Sequence, residues 1–201
     1  MILYDNQYFA NINYYKSLFN TKNILLPTNL MYQKGWFNNK CSIVGANGII
    51  NLSVPLLGGR DQKTKLKDVK IAYHQNWQLQ HLRAIASCYG NAPYFNHYYP
   101  FFQKLYSTQF ESLFEINIYV LENVVKFLKS DIKVSVSDTP IQHHEIIFTK
   151  KNIAENPLTQ IKTIKYPQVF EDRLGFVPNL SIIDLLMCMG PQSKNILLQL
   201  S

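Results

Sequence analysis

Two imidazoles and an indole lie within eight residues of one another in the stretch Val69 to Tyr89, VKIAYHQNWQLQHLRAIASCY. A short β-branched run (Val69, Ile71) ends at a polar break around Gln75 and Asn76. Trp77, Leu82, Ile85, Ala86 and Tyr89 then recur at helical spacing. His74, Trp77 and His81 stand at i, i+3 and i+7, close to one line on that helix if His74 lies at its first turn. Imidazole titrates near neutral pH, which suits it to proton transfer, and an indole can stack on a base or a sugar face. In open α/β sheets, the handover from strand to helix is where ligands sit. The plainer reading is that both histidines are satisfied residues of the core or its rim.

The neighbouring segments supply the frame. Ile2 to Tyr4 reads as a buried strand broken by Asp5 and Asn6. Tyr8 to Phe19 carries a helical aromatic stripe, and Ile24 to Leu26, closed by Pro27, reads as a second strand. Strand, helix and strand so close together predict a βαβ unit of a parallel sheet with a right-handed crossover. Trp36 to Ile43 and Ile49 to Pro55 flank Gly45 to Gly48. The Asn47-Gly48 pair there predicts a hairpin with a type I′ turn, positive in φ at both central residues. Gly58 to Lys67 is a glycine-opened loop carrying Arg60, Lys63 and Lys65. It could cradle an anion or be a solvated connection, and it lacks the spacing of a Walker loop.

After Pro93 an aromatic segment predicts a helix broken near Pro100. Phe110 to Leu128 is a helix whose apolar stripe contains Asn117, an amide that either fixes packing or, as the favoured reading, faces a polar pocket. Val134 and Val136 predict a strand, and Thr139 to Lys165 a polar connection serving as a flexible loop or lid. Ser181 to Gly190 is a helix with a Ser181–Asp184 capping box, Gly190 at C′ and Pro191 as its stop.

The chain of 201 residues suits one domain, residues 1–201. With 47% hydrophobic and 16% charged residues it can build a core and is not a disordered chain. A net charge of +7 favours anionic partners, whether phosphates, nucleotides, nucleic acid or an acidic surface, and the basic residues are too dispersed for a nucleic-acid tail. Cys41, Cys88 and Cys188 are odd in number and unpaired in spacing, against a disulfide framework or a zinc site. His143 and His144 lack a spaced third ligand, so no metal is expected. No signal peptide and no apolar run long enough to span a membrane is read, which predicts a reduced, cytoplasmic protein. Nucleophile-elbow, HExxH and GxGxxG motifs are absent, and the residues alone imply no particular cofactor.

Four strings, taken together, resemble the WbqC-like protein family: NNKCSIVGANGIINLSVPL, KDVKI, NWQLQHLRAIASCYGNAPYF and YPQVFEDRLGFVPNLSIIDLLMCMGP. The resemblance covers nearly the whole chain and is weakest from Thr139 to Lys162. The opening resembles the family's IAxxQPxYFP motif, keeping Gln7, Tyr8 and Phe9 without its prolines. FNNKCSI stands where the family has an arginine-rich string; it retains Asn39 and has Asn38 and Lys40 in place of arginines. Trp77, His81, Tyr94, Phe95, Asn117, Gly175, Pro178, Ser181, Asp184 and Pro191 match the family's patterns.

The family is associated with bacterial O-antigen and other surface-polysaccharide gene clusters. The resemblance implies a transferase acting on an activated sugar, by acyl or aminoacyl transfer. It also implies a single Rossmann-like three-layer α/β domain, with a mostly parallel sheet, a β-hairpin and a helical C-terminal half. On that reading Lys34, Lys40, Arg60 and Lys65 bind phosphate, while Gln7, Asn39 and Asn117 contact substrate. Trp77 stacks on it, and His81 or His74 acts as general base. The rival expectation is a non-catalytic binding or scaffold protein of a polysaccharide assembly complex, with His81 buried and hydrogen-bonded away from any pocket.

Overall fold

The computed structural model describes residues 2–19, 21–59, 61–138, 146–147 and 165–199. The apolar run Ile2–Tyr4 forms β1 and leads to α1, Ile12–Leu18, which is followed by β2, Asn23–Pro27. The helix begins later than its aromatic stripe predicts. Phe9 adopts a positive φ of 41°, and Asn11 caps the helix by accepting from the Tyr14 amide. Tyr8 to Ala10 therefore form a turn, held where the Ser181 hydroxyl donates to the Phe9 carbonyl at 2.8 Å.

β3 (Lys40–Gly45) and β4 (Gly48–Ser53) form the expected hairpin, with Gly45 opposite Gly48. The turn is not type I′, however, because Gly48 alone takes positive φ, at 116°, and Ala46 and Asn47 do not. Val69 and Ile71 do not form a strand of the parallel sheet. They follow a 3-10 turn over Leu66–Asp68, and the segment is held by isolated bridges, Ile71 to Leu56 and Lys70 to Ser112.

Three helices follow: α2 (Trp77–Tyr89), α3 (Phe95–Ser107) and α4 (Leu113–Phe127). α3 runs through Pro100 without a break. A proline removes one intrahelical bond, and the buried aromatic face of Tyr98, Phe102 and Tyr106 continues on both sides of it. Ser112 and Glu115 close a full capping box at the start of α4.

β5 (Lys133–Ser137) and the two-residue β6 (Ile146–Ile147) complete the strands. The segment expected to be only a polar connection thus adds a strand to the sheet; its remaining residues, 139–145 and 148–164, lie outside the described residues. Strands β5, β2 and β1 are parallel, with Ile24 opposite both Ile2 and Val134, and β6 extends the sheet on the far side of β1.

The C-terminal part contains α5 (Glu171–Leu174), α6 (Ile182–Met189) and α7 (Ser193–Gln199), the last two joined by a 3-10 turn over Gly190–Gln192. The Ser181–Asp184 capping box does not form. Ser181 Oγ accepts from the Ile183 amide, while the Asp184 side chain is turned into the core to receive three side-chain donors. Nor does Pro191 end helical structure, since it opens the turn that leads into α7. Buried aromatic rings dominate the core, among them Tyr4, Tyr8, Phe9, Tyr14, Tyr15, Tyr89, Tyr98 and Phe102. Among the described residues no helix is long and apolar enough to cross a membrane.

Gly190 adopts φ 52° and ψ −127°, and a Cβ there would run into the Tyr94 ring. Gly190→Ala is expected to destabilise the chain by about 2 kcal/mol or more, combining backbone strain with a packing clash. Urea denaturation would register this as a lower midpoint with an unchanged slope.

Candidate functional site

Sequence places Asp5, Asn6 and Gln7 directly after the last residue of β1, so they emerge at the carboxyl edge of the sheet beside both β2 and β6. Asp5 is only 5% exposed. Its carboxylate accepts from Trp36 Nε1 at 2.6 Å, Gln7 Nε2 at 3.2 Å and Asn38 Nδ2 at 3.3 Å. Among the described residues every side-chain donor to it is neutral. Burial outweighs these hydrogen bonds and pushes the carboxyl up from 3.8 to about 7.

Three asparagines extend the network. Asn38 also donates to the Asn6 carbonyl at 2.8 Å, and Asn117 on α4 donates to Asn6 Oδ1 at 2.7 Å and to the Asn38 carbonyl at 2.8 Å. The Asn117 carbonyl oxygen is buried with no hydrogen-bond partner among the described residues. Asn39 donates to the Val54 carbonyl at 2.9 Å and accepts from the Tyr32 hydroxyl at 3.3 Å. Asn117 therefore joins α4 to the loop after β1, and Asn39 holds the entry to the hairpin.

Charges gather along the same edge. Thr28, just past β2, donates to Asp138, just past β5, and Lys67 Nζ stands 3.3 Å from that carboxylate. The Thr28 hydroxyl and Lys67 hold Asp138 below its ordinary range. Lys65 forms a backbone bridge with Met31 and is exposed, as is Lys34, which pairs with Asp61 at 2.6 Å. Lys40 lies 5.7 Å over the Phe37 ring. The arrangement is a buried carboxyl with amides around it and a lysine-bearing margin. It can exchange a proton near neutral pH and hold an anion nearby.

A model of the WbqC-like protein family matches residues 6–146 and 141–196. The chain belongs to the WbqC-like family. No curated protein and no solved structure matches it.

In this WbqC-like chain the two histidines are not brought together. His81 is 4% exposed; Tyr8 Oη lies 3.2 Å from its Nδ1 and 2.8 Å from the Tyr106 hydroxyl. Burial pulls the imidazole down from 6.5 to about 4, against a backbone hydrogen bond with Ser53. His74 is exposed at a bend before α2 instead of sharing its face. Trp77 packs 5.1 Å from His81 and is buried, its indole N–H without a hydrogen-bond partner among the described residues. Gln7 donates to Asp5 and Asn117 reaches Asn6 and the Asn38 carbonyl, whereas Asn39 is engaged with Val54 and Tyr32. Lys34, Lys40 and Lys65 are exposed or half-buried, and Arg60 lies outside the described residues.

Sequence reasoning missed Asp5, Asn6 and Trp36 as members of this site, reading the first two only as a strand break. The available signal was their position, a run of polar side chains immediately past a buried strand of a parallel sheet. Among the described residues no group of three or more His, Cys, Asp or Glu side chains could hold a metal ion.

Asp5 and His81 give opposite pH dependences. Between pH 3.8 and about 7 the folded chain keeps an Asp5 proton that the unfolded chain releases, so this stability is full at low pH and lost as pH rises to about 7. Between about 4 and 6.5 the unfolded chain protonates His81 and the folded chain does not, so that stability is full above 6.5 and lost on acidification to about 4. Each slope reaches about 1.4 kcal/mol per pH unit. In urea titrations, the wild-type advantage over Asp5→Asn should shrink as pH rises through its window, and that over His81→Gln should grow. Flat differences would contradict both assignments.

Proposed function

We propose that this protein is a transferase of bacterial surface-polysaccharide assembly, of O-antigen or capsule type. It holds a nucleotide-activated or otherwise anionic sugar over the carboxyl edge of its parallel sheet and works in the cytoplasm. Acyl or aminoacyl transfer is the reaction that the family's association with such gene clusters favours. The observation that carries the reading is the Asp5 carboxyl, buried among neutral donors just past a strand flanked on both sides and pushed up to about 7 by burial. Ligands of Rossmann-like sheets bind at such a place, and the Rossmann-like three-layer description belongs to this proposal.

In this reading Asp5 takes the proton from a sugar amine or hydroxyl. Gln7, Asn39 and Asn117 orient the substrate, and Lys34, Lys40, Arg60 and Lys65 hold its phosphates. The general-base role that spacing assigns to His81 passes to Asp5, because an imidazole held down to about 4 is a weak base at neutral pH. His81 positions Tyr8 and Trp77 supports that cluster, while His74 is the exposed alternative base. One observation favours the rival reading of a non-catalytic binding or scaffold protein: His81 is buried and spends its Nδ1 on Tyr8.

A thermal-shift screen against nucleotide sugars, nucleotides and acyl donors tests the proposal. A ligand at about a hundred times its dissociation constant should stabilise by about 2.7 kcal/mol. Removing Lys40 and Lys65 together should weaken a nucleotide-sugar ligand about tenfold. Asp5→Asn should retain binding and lower turnover by about 10²–10⁴-fold. Binding without any turnover would favour the scaffold reading, and unchanged turnover in Asp5→Asn would remove Asp5 from the chemistry.

A further inference from the structure

A second concavity lies between the first turn of α2 and the end of α3, with a volume of about 320 Å³, at the small end of the range of roughly 300–1,000 Å³ for ligand sites. Its polar wall is Asn76, Gln78, Gln103 and Ser107, and its apolar wall is Leu79, Leu82 and Tyr106. No charged side chain lines it among the described residues. We propose that this groove binds an uncharged sugar ring, a ligand distinct from the anionic one assigned to the sheet edge.

Three amides there are uncommitted. Asn76 occupies the N-cap of α2, but its side chain makes no capping hydrogen bond. Gln78 and Gln103 have no side-chain hydrogen bonds within the described structure either, whereas Gln7, Asn38, Asn39 and Asn117 at the sheet edge are engaged. Each primary amide presents two donors and an acceptor in a fixed plane, matching neighbouring hydroxyls that each donate once and accept twice. Ser107 donates its hydroxyl proton to the Lys104 carbonyl, leaving its oxygen free to accept.

The opposite wall suits the C–H face of a pyranose. Leu79 is 45% exposed, and Leu82 lies beside it. The Tyr106 hydroxyl is already bonded to Tyr8, so the tyrosine contributes its ring to the groove. That ring stands edge-on to buried Trp77 at 5.9 Å, giving the wall a stiff aromatic backing. With neither ammonium nor carboxylate on its walls, the groove offers no counter-charge to a sugar phosphate or uronate. A neutral hexose or N-acetylhexosamine satisfies both walls.

The test is a titration of the ¹⁵N-labelled full chain with methyl glucoside, methyl galactoside and N-acetylglucosamine, followed by amide chemical shifts. Saturable shifts confined to residues 76–82 and 103–107, unaffected by added salt, are expected for at least one of these. Gln78→Ala and Gln103→Ala alter surface side chains without bonds to lose, so both variants should stay folded and bind about tenfold more weakly, about 1.4 kcal/mol. Gln109→Ala, outside the groove, should bind as wild type. The proposal fails if none of the three sugars shifts these residues, if the shifts fall elsewhere, or if both variants bind as wild type. It also fails if a sugar phosphate binds here more tightly and in a salt-sensitive way. None of these outcomes depends on whether a nucleotide sugar binds near Asp5.

Discussion

The architecture depends on keeping one carboxyl group out of water with no counter-ion among the described residues. Asp5 sits inside the protein just past the end of β1, and three neutral donors from two places in the sequence converge on it: Gln7 from its own loop, and Trp36 and Asn38 from the approach to the hairpin. An isolated buried carboxylate would be very costly, so the group meets burial by rising toward neutrality and by collecting hydrogen bonds. Each donor fixes a piece of backbone in turn. Asn38 pins the Asn6 carbonyl, and Asn117 brings α4 onto the same loop. The hairpin, α4 and the sheet are thereby registered against one another by polar contacts that allow little slippage.

A second buried acid follows the same rule. Asp184 on α6 accepts from the Tyr89 hydroxyl at 2.9 Å, the Tyr166 hydroxyl at 2.6 Å and Gln168 Nε2 at 2.9 Å, and burial raises its carboxyl. Gln168 also exchanges hydrogen bonds with both backbone groups of Val177. Here the acid binds α2, α6 and the strand-free segment before α5 into one unit. The two carboxyls play different parts. Asp184 is enclosed by rings and helices, while Asp5 lies at the sheet edge, where the lysine-bearing loops begin.

Much of the fold was legible because its signals are local. The periods of β1, β2 and the hairpin, and the stripes of α2 and α4, can each be read within a few turns of chain. The departures arise where distant groups intervene. Ser181 and Asp184 have the spacing of a capping box, but Tyr89 and Tyr166 draw the acid inward. Pro100 carries a break signal that the aromatic face of α3 overrides. At the candidate site, Gln7 and Asn117 were singled out through family patterns, and both bond to the loop after β1. The burial of His81 was one of two readings the sequence left open, since i, i+3, i+7 spacing says which residues align and not which side of the helix is covered. Asp5 was hidden for a related reason: a lone acid after a strand looks like a turn until its donors are seen.

The strand order has a consequence for how the chain comes together. β1 lies between β2, close in sequence, and β6, where Leu3 meets Ile146. The loop carrying Asp5 also waits for Asn117 before it is complete. Pairings of such long sequence separation require closing large loops before any reward is gained, which slows folding. Until residues around 146 arrive, one side of β1 offers unpaired backbone to any other chain. Assembly of this protein should therefore be more sensitive to temperature and crowded expression than its finished stability would imply.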